Sequence, residues 1–150
     1  MKIFNEQFVF NISDNPQLLD RKMIFDYLSK HSYWSKGISK EVVERSLDHS
    51  LTIGAYVENR QVGFCRVISD YATFANLVDV FVVKPFRRQG VATKMMQFIL
   101  AHEKLQGLRR FMLATRDAHA FYRQFGFEDI KESTSLMQRY NSAIYQKNPH

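Results

Sequence analysis

Two adjacent arginines stand just ahead of a glycine in the run VFVVKPFRRQGVATKMMQFIL, residues 80–100, where an apolar, strand-like segment meets a proline and then a long amphipathic pattern. Packing gains nothing from paired arginines at such a point, but an anion does. The first turn of a helix leaves backbone N–H groups without partners and concentrates positive potential there. A diphosphate can occupy that end. Backbone amides reach phosphate oxygens only where the main chain approaches closely, which suits Gly90 and the small Ala92, while Arg87 and Arg88 add charge and planar donors. The same residues also read as a solvated basic turn with Gly90 as a simple corner. Asp79, two positions before Phe81, sets a carboxylate in an otherwise apolar ladder, which is costly unless it is hydrogen-bonded or functional. It is either a general base or an anchor that holds a neighbouring loop or pairs with Arg66.

Positioning these groups requires a sheet and helices, and the periodicities supply both. A short strand is expected over residues 8–12. Ser13, Asp14 or Asn15 then caps a helix with Pro16 at its first position, running to about Lys30. Ser39 caps a second helix with Val42, Val43 and Leu47 on one side. From Leu51 the period becomes two: Leu51, Ile53, Ala55 and Val57 share one face, and Val62, Phe64, Arg66 and Ile68 share a face of the next strand, with Asn59 and Arg60 as a two-residue turn. Residues 76–83 form a third, β-branched strand. Val91, Met95, Phe98, Ile99 and His102 then mark a helix. A strand at 110–115, a helix at 118–125 and a terminal strand or pair within 127–145 complete a mixed α/β (α+β) sheet.

The 150 residues carry a net charge of +6, 45% hydrophobic residues and one cysteine, Cys65. One domain spanning 1–150 is expected, since no repeat or linker divides the chain. No stretch reaches the roughly 20 apolar residues of a membrane span, and the first ten residues lack the pattern of a secretory signal. A lone cysteine fits a reducing compartment, so a cytoplasmic location is expected. His31, His49 and His102 lack metal-ligand spacing, and no metal is expected. Positive charge favours nucleic acid, a nucleotide-containing cofactor or an acidic substrate equally.

Other phosphate-binding motifs fit worse, because the chain holds neither G-x-x-x-x-G-K-[ST] nor G-x-G-x-x-G. The run Arg87, Arg88, Gln89, Gly90, Val91, Ala92 resembles the [Q/R]-x-x-G-x-[G/A] acyl-CoA signature of the GNAT superfamily of N-acetyltransferases. A second element agrees: DAHAFYRQFGFE, residues 117–128, is similar to that family's A-x-x-F-Y-x-x-x-G-F, with Ala118, Phe121, Tyr122, Gly126 and Phe127 in register. The likeness covers roughly residues 51–145. It departs where many members have glycine, here Arg88, and where many have asparagine, here Thr115.

The resemblance implies a mixed, mostly antiparallel sheet with a splayed central strand pair. It also implies direct transfer of an acetyl group from acetyl-CoA to an amine in a ternary complex. Arg87, Arg88, Gln89, Gly90, Val91, Ala92 and Thr93 would cradle the diphosphate. Phe81, Val82 and Val83 would offer a backbone edge to the pantetheine, with Thr115 in place of an asparagine contact. Tyr122 would be the acid for the departing thiolate or, without that role, a core aromatic. Asp79 is the candidate base, with a water chain as the alternative. Tyr33 and Trp34 would line the acceptor pocket or plug the core, and Asp70 lies in a second loop that selects the acceptor. A small-molecule or peptide amine is the expected acceptor, and a strand near 143–146 offers pairing across a homodimer. Two other functions remain open: an acyl-CoA-binding sensor without catalysis, and a basic nucleic-acid module using Arg87, Arg88, Lys94, Arg109 and Arg110, which lacks any recognisable nucleic-acid-reading element.

Overall fold

The computed structural model describes residues 8–146; the opening seven, part of the segment read for a secretory signal, lie outside it. Five strands form one sheet in chain order: β1 (Asn11–Ser13), β2 (Leu51–Val57), β3 (Arg60–Ser69), β4 (Phe74–Val82) and β5 (Arg110–Leu113). The first three pairings are antiparallel and the last, β4 with β5, is parallel. That parallel pairing runs only from Phe74–Arg110 to Leu77–Leu113, although β4 continues to Val82. The two strands therefore part in mid-sheet.

Helices cover both faces, which is why β2 is buried from Leu51 to Tyr56 on both sides rather than alternately. On one face α3 (Val91–Ala101) packs Val91, Met95, Met96 and Ile99 over Ile53, Ala55, Cys65, Val67 and Leu77. On the other, α1 (Arg21–Asp26) and α2 (Lys40–Asp48) enclose Ile24, Leu28, Val43 and Leu47 with Phe64 and Phe81. Arg21 ties these helices together through Glu44 and Asp48. α4 (His119–Arg123) follows β5. No helix among the described residues is long and apolar enough to cross a membrane.

Several expectations shift for local physical reasons. β1 begins at Asn11, and Phe8 is exposed. Of the three cap candidates it is Asn15 whose Oδ1 accepts from the Gln17 N–H, with Pro16 first in the turn, but only one 3-10 turn follows; Asp20 then caps α1, whose last turn widens into a π-helix at Tyr27–His31. The hairpin turns on Glu58 and Asn59, both at positive φ, with Val57 opposite Arg60. Such a turn needs two left-handed residues, which moves it one position back from the Asn59–Arg60 reading. A bulge between Ala55 and Tyr56 in the β2–β3 register places Val62 with the α3 core, whereas Phe64 faces α1 and α2. Val62 and Phe64 thus do not share a face. The terminal strands are absent: 127–146 holds one 3-10 turn at Ser133–Ser135, and Ala143 and Gln146 belong to a turn closed by the Gln146 N–H donating to the Ala143 carbonyl.

Tyr56 leaves its hydroxyl fully enclosed without a partner, and burial pushes its phenol up to about 12. Replacing it by phenylalanine removes an unsatisfied donor and keeps the ring, so Tyr56→Phe is expected to stabilise the fold by about 1 kcal/mol in urea unfolding. Tyr122 is likewise raised to about 12. An unfolded tyrosine ionises near pH 10, so stability from both is complete below about pH 10 and declines as pH climbs toward about 12. Alkaline melting should therefore be shallower in Tyr56→Phe than in the parent.

Candidate active site

Gly90 caps α3 in the left-handed region at φ 87°, with no side chain bonding the first turn. The first helical backbone bond is from the Lys94 N–H to the Gly90 carbonyl, at 3.0 Å. The N–H groups of Val91, Ala92 and Thr93 are thus left pointing off the helix end. Arg88 also adopts positive φ, 63°, and forms no ion pair among the described residues. Gln89 folds back, donating from Nε2 to the Pro85 carbonyl at 3.3 Å. The position of this helix end depends on Gly63 of β3, where a Cβ would press on Val91 and Met95. Absence of a side chain there lets α3 lie close to the sheet beside Val82, which is paired with Gly63.

The parted edge of β4 lies next to that turn. Val83 gives its N–H to the Val62 carbonyl on β3 at 2.9 Å, so its backbone faces the sheet interior. Antiparallel alternation turns the N–H and C=O of Val82, rather than those of Phe81 or Val83, toward the opening. Arg87 is already engaged there: Nε donates to the Val82 carbonyl at 2.8 Å and Nη2 to the Tyr27 hydroxyl at 3.1 Å. Tyr27 in turn stacks on Phe81, ring centroids 3.8 Å apart. The two arginines that look alike in sequence are therefore different, one docked on the edge and one at the open turn.

Asp79 occupies a bulge. Its φ is 56°, and the β3–β4 register slips between Phe64–Phe81 and Arg66–Val78. The carboxylate is buried, with Oδ2 accepting from Arg66 Nε and Oδ1 from Trp34 Nε1, both at 2.7 Å. Arg66 also donates to Ser50 Oγ at 2.9 Å. The anchoring arrangement foreseen as one of two readings is the geometry present.

Tyr122 is buried on α4 between Phe121 and Phe127, and the turn beyond it closes when Phe125 and Phe127 donate their N–H groups to its carbonyl. Its phenol is raised by burial, then by the nearby Cys65 and Tyr33, and stays protonated at neutral pH. Cys65 is fully buried, and burial together with the Asp79 charge pushes its thiol well up, which leaves it a poor nucleophile. Thr115 Oγ1 accepts from the Ala118 N–H at 3.0 Å, ahead of α4.

Tyr33 and Trp34 are half-exposed and meet edge to face, 5.0 Å apart. The guanidinium of Arg116 lies 3.8 Å over the Tyr33 ring. Asp70 shapes its own loop: its carboxylate accepts from the N–H groups of Ala72, Thr73 and Phe74 and from the Thr73 hydroxyl. Those bonds hold its carboxyl well below the usual range, the Thr73 amide most strongly. Asp70 is thus spent on the turn. Sequence reasoning missed Tyr27, Gly63 and Arg116. Only Arg116 carried a signal, since it stands between Thr115 and the second motif.

The acetyltransferase (GNAT) domain family matches residues 48–129. A protein of Gibberella zeae, itself assigned only provisionally as an acetyltransferase, is 31% identical over 144 residues, covering 81% of this chain and 80% of that one. A crystal structure of a GNAT-family protein from Xanthomonas campestris pv. campestris is 45% identical, with a TM-score of 0.92 over 95% of this chain and 100% of that chain. Glucosamine-6-phosphate N-acetyltransferase from Arabidopsis thaliana, at 17% identity and a TM-score of 0.63 over 88% of this chain and 98% of that one, shares the fold alone.

The bulge supplies a test. Asp79→Asn keeps an acceptor and tolerates positive φ but strands the part-buried Arg66 charge. Stability in urea should fall by about 3 kcal/mol, with much of it regained in Asp79→Asn combined with Arg66→Met.

Proposed function

We propose, from the premise that this chain belongs to the acetyltransferase (GNAT) family, that it transfers the acetyl group of acetyl-CoA to a primary amine of a small molecule or peptide. The observation that carries the reading is the uncapped turn at Gly90, whose free amides and Arg88, in no ion pair among the described residues, stand beside the parted edge of β4. Residues present fit the cofactor: amides of Val91, Ala92 and Thr93 with Arg88 for the diphosphate, and Val82 for an amide of the pantetheine arm. Acetyl-CoA, when bound, supplies the activated acyl group. Arg87 would exchange the Val82 carbonyl for a phosphate oxygen, freeing the edge as it gains a partner.

Tyr122 is the acid in this reading. A phenol kept protonated by burial can give its proton to a thiolate. Cys65, enclosed and held as a thiol, argues for direct attack by the amine rather than an acyl-cysteine. With both Asp79 oxygens engaged, we assign that residue to holding the bulge and Trp34, and the ammonium proton to solvent in the cleft. The Tyr33–Trp34 pair with Arg116 forms the acceptor side. A reducing, cytoplasmic setting suits the unpaired Cys65.

Calorimetric titration with acetyl-CoA is the direct test; absence of saturable binding at millimolar cofactor ends the reading. Tyr122→Phe should lower kcat by about 100-fold while leaving cofactor affinity near that of the parent. Arg88→Gly relieves the left-handed strain and removes a charge. Stability should stay within about 1 kcal/mol of the parent, and acetyl-CoA affinity should drop about tenfold, more at low salt than at high.

A further inference from the structure

Beyond Gly126 the chain all but stops burying itself. Every residue of 128–144 is exposed, among them Ile130, Leu136, Met137 at 96%, Tyr140 at 75% and Ile144 at 61%. Fixing a residue costs about 1–2 kcal/mol of chain entropy, and apolar burial is the usual compensation. Exposed apolar side chains in such a row mark a surface meant for contact.

The sheet shows the matching deficit. β5 pairs with β4 on one side, and no strand among the described residues pairs with its other edge. Along that edge runs a groove of about 910 Å³, bounded on one bank by residues 109–115 and on the other by 127–133 and Ser135. An open strand edge is a template for another strand. The far bank carries Glu128 and Glu132, neither in an ion pair among the described residues, while Asp129 is held by Arg123 at 3.0 Å. From Ser133 onward the chain has no acidic residue, and Arg139 lies in the middle of the exposed span, again without an ion pair among the described residues.

The span does not lie in its own groove. Its lining stops at Ser135, and the chain is next held at Tyr145, which packs with the Ile24–Leu28 cluster beside Gly37. Residues 136–144 stand clear between two anchors on their own body. A second copy offers both what the groove lacks and what the span lacks, and a two-fold axis satisfies both at once.

We propose that residues 136–141 of one copy lie as a strand in the β5 groove of a second copy, and reciprocally, making the protein a strand-exchanged homodimer with Arg139 against Glu128 and Glu132. The proposal does not rest on acetyl transfer, although Thr115 and Tyr122 also line the groove. It also differs from pairing at 143–146, where the chain turns.

Light scattering on the full chain tests it. A mass of twice 17.7 kDa is expected, and a monomer at every concentration overturns the proposal. Gln138→Pro is harmless in an exposed span but incompatible with a strand flanked on both sides. Met137→Asp with Tyr140→Asp puts charge where apolar contacts would form. Both variants should keep the parent's circular dichroism and run as monomers, with the dimer dissociation constant raised on the order of 100-fold. A dimer that survives Gln138→Pro and the paired aspartates unchanged uses another surface, and that result also overturns the proposal.

Discussion

The ion pair between Arg66 and Asp79 sits where β4 bends away from its parallel neighbour. An aspartate tolerates the left-handed backbone that a bulge demands, and here its charge is neutralised and both oxygens are bonded in the same act. The extra residue increases the local twist, so β4 leaves β5 after Leu77 and its outer backbone groups come free. Without that parting, the edge at Val82 would be an ordinary interior ladder with nothing left to bind. Trp34 on the second oxygen extends the constraint to the loop carrying Tyr33, which is tethered to the same carboxylate.

Electrostatics then divides labour within the basic turn. Arg87 is compensated by a carbonyl and a phenol, whereas Arg88 and the first amides of α3 are not. A net charge of +6 raises the positive potential of the whole surface, but the turn at Gly90 adds backbone amides of the first helical turn to that charge. Gly63 contributes by absence, letting the helix end come down onto the sheet. The phenol of Tyr122 gains its high pKa from the same close packing, because α4 sets the ring against Phe127 with Cys65 nearby.

The carboxy-terminal stretch borders the groove along β5. Thr115, His119 and Tyr122 line the same groove as β5. A strand seated there would back the loop that carries Thr115 and the helix that carries the phenol. In the proposed dimer, the exchanged strand and the candidate site would be physically adjacent.

Sequence alone determined the elements whose signals are local. The Ser39 cap, a cap among Ser13, Asp14 and Asn15, the period-two run from Leu51, the helix after Gly90 and the two spaced motifs depend on neighbouring residues and are legible in order along the chain. Tertiary structure decided what depends on residues far apart. The bulges that separate Val62 from Phe64 and set Asp79 at positive φ arise from strand register, and the partners of Asp79 lie 13 and 45 positions away. Arg87 and Arg88 cannot be told apart until Tyr27 and Val82 are in place. The final stretch reads as strand because apolar alternation measures a tendency to pair, and whether a partner exists within the same chain is settled only by where the folded body puts its edges.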